Sequence, residues 1–99
     1  MHEVANEILK QLGGKRFVAM TGAQKFLGLE KALAFRLPSN WAKNGINYVL
    51  VSLDPSDTYT MTFSKTRGDS VTEIAVESDV YNDDLQDIFS KHTGLDTHL

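Results

Sequence analysis

The sequence predicts an α+β domain, an antiparallel sheet of four or five strands flanked by an N-terminal and a C-terminal helix. Three observations lead there. Residues 46–63 read as two strands folded on a four-residue turn, Asp54-Pro55-Ser56-Asp57. In the second of these strands Tyr59, Met61 and Phe63 alternate with Thr58, Thr60, Thr62 and Ser64, the period-two pattern of a half-buried strand. At the two ends of the chain apolar residues recur at helical spacing instead, as Val4-Ile8-Leu12 and as Leu85-Ile88-Phe89. The expected order is α-β-β-β-β-α, with room for one further short strand. No helical stretch separates the strands, so their connections are too short for a parallel crossover.

Residues 3–12 form the first helix in this reading. Ala5 and Leu9 widen its stripe, Glu3 and Glu7 precede Lys10 in the sense that suits the helix dipole, and Gly13-Gly14 stops it. A strand is expected over 16–21, with Phe17 and Ala19 on one side, Val18 and Met20 on the other, and Thr21-Gly22-Ala23 breaking it. Residues 24–30 are ambiguous: Phe26 and Leu27 call for burial, and Gly28 suggests a turn or bulge. Over 31–37, Leu33, Phe35 and Leu37 alternate with Ala32, Ala34 and Arg36 until Pro38, which lacks a ladder donor.

The central hairpin follows. Its first strand places Val49, Val51 and Leu53 on one side and Ile46, Tyr48 and Leu50 on the other, apolar on both. Pro55 suits the second position of a type I turn. Residues 65–70 read as a turn around Gly68-Asp69, and 71–77 as an edge strand with Ile74 and Val76 inward and Glu73 and Glu77 outward. A last helix is expected over about residues 80–93, with Tyr81, Leu85, Ile88 and Phe89 as its stripe and Asp79, Asn82 or Asp83 as its cap. Thr93-Gly94-Leu95 ends it, Gly94 turning left-handed and Leu95 folding back, and residues 96–99 fray.

Ninety-nine residues with 41% hydrophobic content make one domain, residues 1–99, around one core. With no cysteine, the chain offers neither disulfides, nor thiolate nucleophiles, nor cysteine zinc sites. Apolar runs are far too short to span a bilayer, and Met1-His2-Glu3-Val4 is not a basic leader, so an unsecreted chain without a membrane segment is expected. The net charge of −3 divides into +4 over residues 1–67 and −7 over 68–99.

No chemical motif stands out. Gly13-Gly14-Lys15 lacks the strand and spacing of a phosphate loop, and the dinucleotide fingerprint is missing. His2, His92 and His98 are scattered, and Asp83, Asp84 and Asp87 have no matching cluster, so no metal or other cofactor is expected. The serines fall in no nucleophile-elbow pattern, and the reading is non-enzymatic.

Several features resemble small uncharacterised proteins encoded by bacterial phages and integrated mobile elements. They are Gln11-Leu12-Gly13-Gly14, Phe17 and Ala19-Met20-Thr21-Gly22-Ala23, then Asn47, then Tyr59-x-Met61-x-Phe63, and finally Tyr81-Asn82-x-x-Leu85-Gln86-x-Ile88-Phe89 with Thr93-Gly94-Leu95. The resemblance implies a bacterial host cytoplasm and an accessory role for a mobile element. It brings no activity or assigned site with it.

Two functional expectations remain. The leading one is protein–protein interaction, with an unknown partner or with a second copy, through Ile46, Tyr48 and Leu50, provided the helices all pack on the other face. The alternative is weak binding of single-stranded nucleic acid. It would use Trp41 and the basic residues Lys15, Arg16, Lys25, Lys31, Arg36 and Lys43, with Lys65 and Arg67 in the same basic part of the chain. Against it, Trp41 is expected to fold back as a lid over the core.

Overall fold

The computed structural model describes residues 2–97. It contains a single five-stranded antiparallel sheet in which the strands lie in sequence order, with helices before and after it. Helix α1 (Glu3–Leu12) and helix α2 (Gly14–Thr21) precede β1 (Gln24–Leu29), β2 (Ala32–Arg36), β3 (Tyr48–Leu53), β4 (Tyr59–Arg67) and β5 (Ser70–Val80), and helix α3 (Leu85–Thr93) closes the chain. The expected hairpin stands in the middle, with β3 as the central strand and β1 and β5 as edges. Its turn is closed by the Asp57 amide donating to the Asp54 carbonyl, while the Asp54 carboxylate accepts from the Thr60 hydroxyl at 2.7 Å.

The segment 16–21 is a helix, not the expected strand. Alternation of Phe17 and Ala19 with Val18 and Met20 carries no polar contrast, since all four are apolar, and so does not fix a period. What decides the local structure is spacing: Phe17 and Thr21, four apart, are both fully buried on one helical face. Gly13 therefore ends α1 and Gly14 opens α2. The ambiguous residues 24–30 supply β1, whose register shifts between Gln24 and Leu27, where Lys25 has φ 54.

Each of the two core-facing helices beside this junction ends on the same device. Thr21 Oγ1 donates to the Phe17 carbonyl at 2.7 Å and accepts from the Ala23 amide at 3.2 Å. Thr93 Oγ1 donates to the Phe89 carbonyl at 2.7 Å and accepts from the Leu95 amide at 3.2 Å. In both, the following glycine, Gly22 or Gly94, is left-handed and caps the helix. Leu95 packs back against the core as expected.

The core lies on one side of the sheet only. Leu33 and Phe35 of β2, Val49 and Val51 of β3, and Tyr59, Met61 and Phe63 of β4 point into it, as the alternation predicts. Ala5, Ile8 and Leu12 of α1, Phe17 of α2, and Leu85 and Phe89 of α3 cover them. Phe89 is the hub, with ring centroids 5.1 Å from Phe17, 6.2 Å from Phe35 and 6.5 Å from Phe63.

Strand β5 departs from its expected phase. Phe63 pairs with Ala75 but Ser64 pairs with Glu73, so β5 holds one extra residue, Ile74, at a bulge. Ile74 and Ala75 both pack toward the core, and at Val76 and Glu77 the alternation is inverted, until a second irregularity between Glu77 and Val80 returns Val80 to the core. Val76, expected inward, lies on the open face, and Glu77, expected outward, lies on the helix side. The turn before β5 is shorter than expected, because Lys65, Thr66 and Arg67 continue β4 and only Gly68 and Asp69 connect the strands.

Tyr81 is exposed rather than part of the last helical stripe, because a 3-10 turn (Asn82–Asp84) intervenes and α3 starts at Leu85. Its N-cap is Asp84, without a side-chain capping bond, in place of Asp79, Asn82 or Asp83. Thr97 is buried, so the expected fraying does not extend to it; His98 and Leu99 lie outside the described residues. Among the described residues, no helix is long and apolar enough to cross a membrane.

Candidate interaction surface

All three helices pack on the Phe35–Phe63 side, which leaves the other side of the sheet without a covering element. The pairing register lays that open side out in rows. Leu27, Ala34, Leu50, Thr62 and Val76 form one continuous row across all five strands. Beside it, Leu29, Ala32, Ser52 and Thr60 form a second. Gln24, Arg36, Tyr48, Ser64 and Glu73 form a third. Leu27 and Val76, at the two ends of the first row, are 56% and 47% exposed, and Leu29 and Val71 are exposed as well.

Of the residues expected on an interaction surface, Tyr48 and Leu50 are on this face and half-buried. Ile46 is not; it is 1% exposed and part of the core. Strict alternation fails between 46 and 48 because β3 begins only at Tyr48. A 3-10 turn (Lys43–Gly45), with Asn44 and Gly45 both left-handed, turns Ile46 under the sheet. The Asn47 side chain then stands in for a strand residue, accepting from the Thr66 amide at 2.8 Å and donating to the Thr66 carbonyl at 3.0 Å. Sequence reasoning missed Leu27, Leu29, Val71 and Val76. Leu27 and Leu29 flanking Gly28 were the available signal for the first two, whereas Val76 is hidden by the bulge.

The basic set divides. Arg36 lies on the open face, its guanidinium 5.7 Å from the Tyr48 ring centroid and its Nη1 donating to Thr66 Oγ1 at 3.0 Å. Trp41 and Lys43 belong to the β2–β3 connection, at the same end of β2 as Arg36, and Lys25 is near Arg36 at the start of β1. Lys31 sits in the β1–β2 turn at the opposite end of the strands. Lys15 and Arg16 are exposed on α2, in the helix layer behind the sheet. The eight cations thus form no single face. Trp41 is not a lid: it is 56% exposed, with one ring edge against Gly22, where an added Cβ would meet it at 2.8 Å.

The loop end holds a cavity of about 320 Å³ lined by Ser39, Asn40, Asn47, Lys65, Thr66 and Arg67. Lys65 drapes its methylenes over Gly45, and Lys43 drapes its own over Gly94. Elsewhere, Glu77 Oε1 accepts from His92 Nε2 at 3.0 Å and Lys91 Nζ at 3.1 Å, tying β5 to α3. These bonds, His92 first, hold the Glu77 carboxyl below the usual carboxylate range. The His92 ring also lies against Phe63, centroids 4.8 Å apart. Burial, with the Glu7 charge adding to it, pushes the Tyr59 phenol up. Among the described residues, no three His, Cys, Asp or Glu side chains are grouped to hold a metal ion.

No family model, curated protein or solved structure matches the chain.

Proposed function

We propose that the protein works by binding protein, not by catalysis, and that the bare face of its sheet is the contact surface, occupied by a second copy of the same chain. The observation that carries the reading is the row from Leu27 to Val76, apolar and exposed at both edges and crossed by no helix, with Ala34 inside it 1% exposed. Stacked sheets pack about 10 Å apart with strands roughly aligned. A two-fold axis parallel to the strands, between two such faces, sets β1 of one copy over β5 of the other. Leu27 then meets Val76, and Leu50 meets its own equivalent.

Charge supports the same arrangement. Arg36 and Glu73 lie in one cross-strand row but three strands apart, about 14 Å, too far to pair within a chain. The two-fold brings Arg36 of each copy to within one strand spacing of Glu73 of the other. Five strands by about six residues give a face of roughly 450 Å² per copy. That is about half the ~800 Å² per partner of a standard stable interface, so a weak, reversible dimer is expected. The resemblance to mobile-element proteins would set this module in a bacterial host cytoplasm as an accessory factor.

The test is sedimentation equilibrium from about 1 μM to about 1 mM. The native chain should dimerise within that range and Leu27→Glu should stay monomeric. Arg36→Glu and Glu73→Arg should each weaken the dimer, and the two together should restore it. A native chain that is monomeric throughout, or a dimer indifferent to Leu27→Glu, overturns the proposal.

A further inference from the structure

The loop end of the molecule carries features that the sheet-face reading does not use. Lys65 and Arg67 are two apart on β4, so both side chains leave the same side of the strand. They converge on the cavity with the Ser39 hydroxyl and the Asn40 amide, and no carboxylate lines it. Neither cation is paired with an acid among the described residues. The position of both is fixed from below, because the Asn47 amide clamps the Thr66 backbone between them from two sides. Asn40 and Asn44 are both held left-handed in the loop that forms the rim. Such conformations persist only where surrounding structure imposes them, and they gather at binding sites.

Trp41 immediately follows this rim. A tryptophan that is 56% exposed, with one ring edge against Gly22, presents an aromatic surface to solvent. Arg36 reaches the same edge through Thr66, and Lys43 lies in the adjoining turn. Of the acids of the C-terminal third, Asp69 lies in the turn after Arg67 and Glu73 pairs with Ser64, while Asp83, Asp84 and Asp87 are held away from this edge. Lys43 covers Gly94, so the C-terminal end of α3 faces the loops. The Asp83, Asp84 and Asp87 end of α3 then lies about 13 Å further off.

We infer that this end of the protein binds single-stranded nucleic acid, with backbone phosphates on Lys65 and Arg67 and a base stacked on Trp41. A polar groove with unpaired cations, followed in the chain by an exposed aromatic (Trp41 comes directly after the lining Asn40), combines the two elements that sequence-tolerant single-strand binders use. It lies at the strand ends, clear of Leu27 and Val76, and so does not depend on the sheet-face contact.

The experiment uses the full chain and a fluorescently labelled oligothymidylate, read both by the anisotropy of the label and by Trp41 emission, since Trp41 is the only tryptophan. Binding should quench Trp41. Two phosphate contacts predict an affinity loss of about sevenfold between about 50 mM and 200 mM salt. Trp41→Ala should weaken the anisotropy-detected affinity by about 5- to 150-fold. Lys65→Ala with Arg67→Ala should abolish the salt dependence along with most of the binding, at unchanged circular dichroism. Leu27→Glu should bind as the native chain does, which separates this site from the dimer face. Absence of an anisotropy change at low salt overturns the inference. So does binding that the double variant leaves intact, and so does displacement of nothing but inorganic phosphate or a mononucleotide, which would make the groove a small-anion site.

Discussion

Phe17 and Phe89, 72 residues apart, meet edge to face with ring centroids 5.1 Å apart and an interplanar angle of 71°, and each begins the same seven-residue phrase. Phe17-x-x-x-Thr21-Gly22-Ala23 and Phe89-x-x-x-Thr93-Gly94-Leu95 both bury the ring, return a threonine hydroxyl to its carbonyl, and stop on a left-handed glycine. The two helix ends therefore brace one aromatic contact. An edge-to-face pair contributes about 0.5–1.5 kcal/mol beyond the area it buries.

Phe89→Ala should accordingly cost about 3–5 kcal/mol, since it vacates a site ringed by Phe17, Phe35 and Phe63. Thr93→Val should cost about 1–2 kcal/mol, because it removes a buried hydroxyl that satisfies both the Phe89 carbonyl and the Leu95 amide. Thr93→Ser, which keeps the hydroxyl, should recover most of that. Urea unfolding measures all three, and a Thr93→Ser loss equal to that of Thr93→Val would show that the methyl, not the hydrogen bond, matters.

Gly22→Ala should destabilise more than an exposed glycine change normally does. The residue has φ 71, and its new Cβ would sit 2.8 Å from the Trp41 ring and 2.9 Å from the Pro38 ring. Strain at a left-handed non-glycine position costs about 1–2 kcal/mol before any clash. The variant should also shift Trp41 emission, since the indole must move. Gly68→Ala, also left-handed but with nothing within 4 Å, should cost stability without altering Trp41 emission.

Acid should loosen the attachment of β5 to α3. The Glu77 carboxyl is held below its ordinary value of 4.5 by hydrogen bonds from His92 and then Lys91. A depressed folded-state value means the stabilisation is present above pH 4.5 and is lost as pH falls through the lower folded value. Glu77→Gln should remove that part of the acid dependence, and the difference between the two chains in urea titrations should shrink as pH drops below 4.5. Tyr59 works in the opposite direction at the other extreme. Its raised value stabilises the fold below pH 10 and ceases to do so as pH climbs through the folded value.

Legibility in the sequence followed the strength of the polar contrast. Tyr59, Met61 and Phe63 alternate with hydroxyl residues and were placed correctly, as were Leu33 and Phe35. Residues 16–21 offer no such contrast, and the signal that would have made them a helix was the Phe-x-x-x-Thr-Gly pattern shared with 89–94, where it was read as a helix end. The phase of Val76 and Glu77 lies beyond the sequence pattern, because a bulge at Ile74 inverts those positions, a second irregularity before Val80 restores the phase, and nothing local announces either. Ile46 departs from its expected side for a related reason: the alternation holds only from Tyr48 on, where β3 begins. As for the surfaces, Tyr48, Leu50 and Arg36 were legible as outward positions, but the row they share with Leu27 and Val76 exists only once the register of five strands is known.

The two surfaces make a joint prediction. A two-fold axis parallel to the strands keeps strand ends at the same level in both copies, so the two grooves of a dimer open toward the same side. A single strand long enough to reach from one Lys65–Arg67 groove to the other then binds the second site intramolecularly, at an effective concentration in the millimolar range for a short linker. Lengthening the oligonucleotide past that span should therefore raise affinity steeply, at one strand per two chains, and Leu27→Glu should remove the gain while leaving the short-strand affinity unchanged. If the gain survives Leu27→Glu, the copies are not joined through the Leu27–Val76 row. Should no gain appear in a chain that does dimerise, the axis runs across the strands and the grooves point apart.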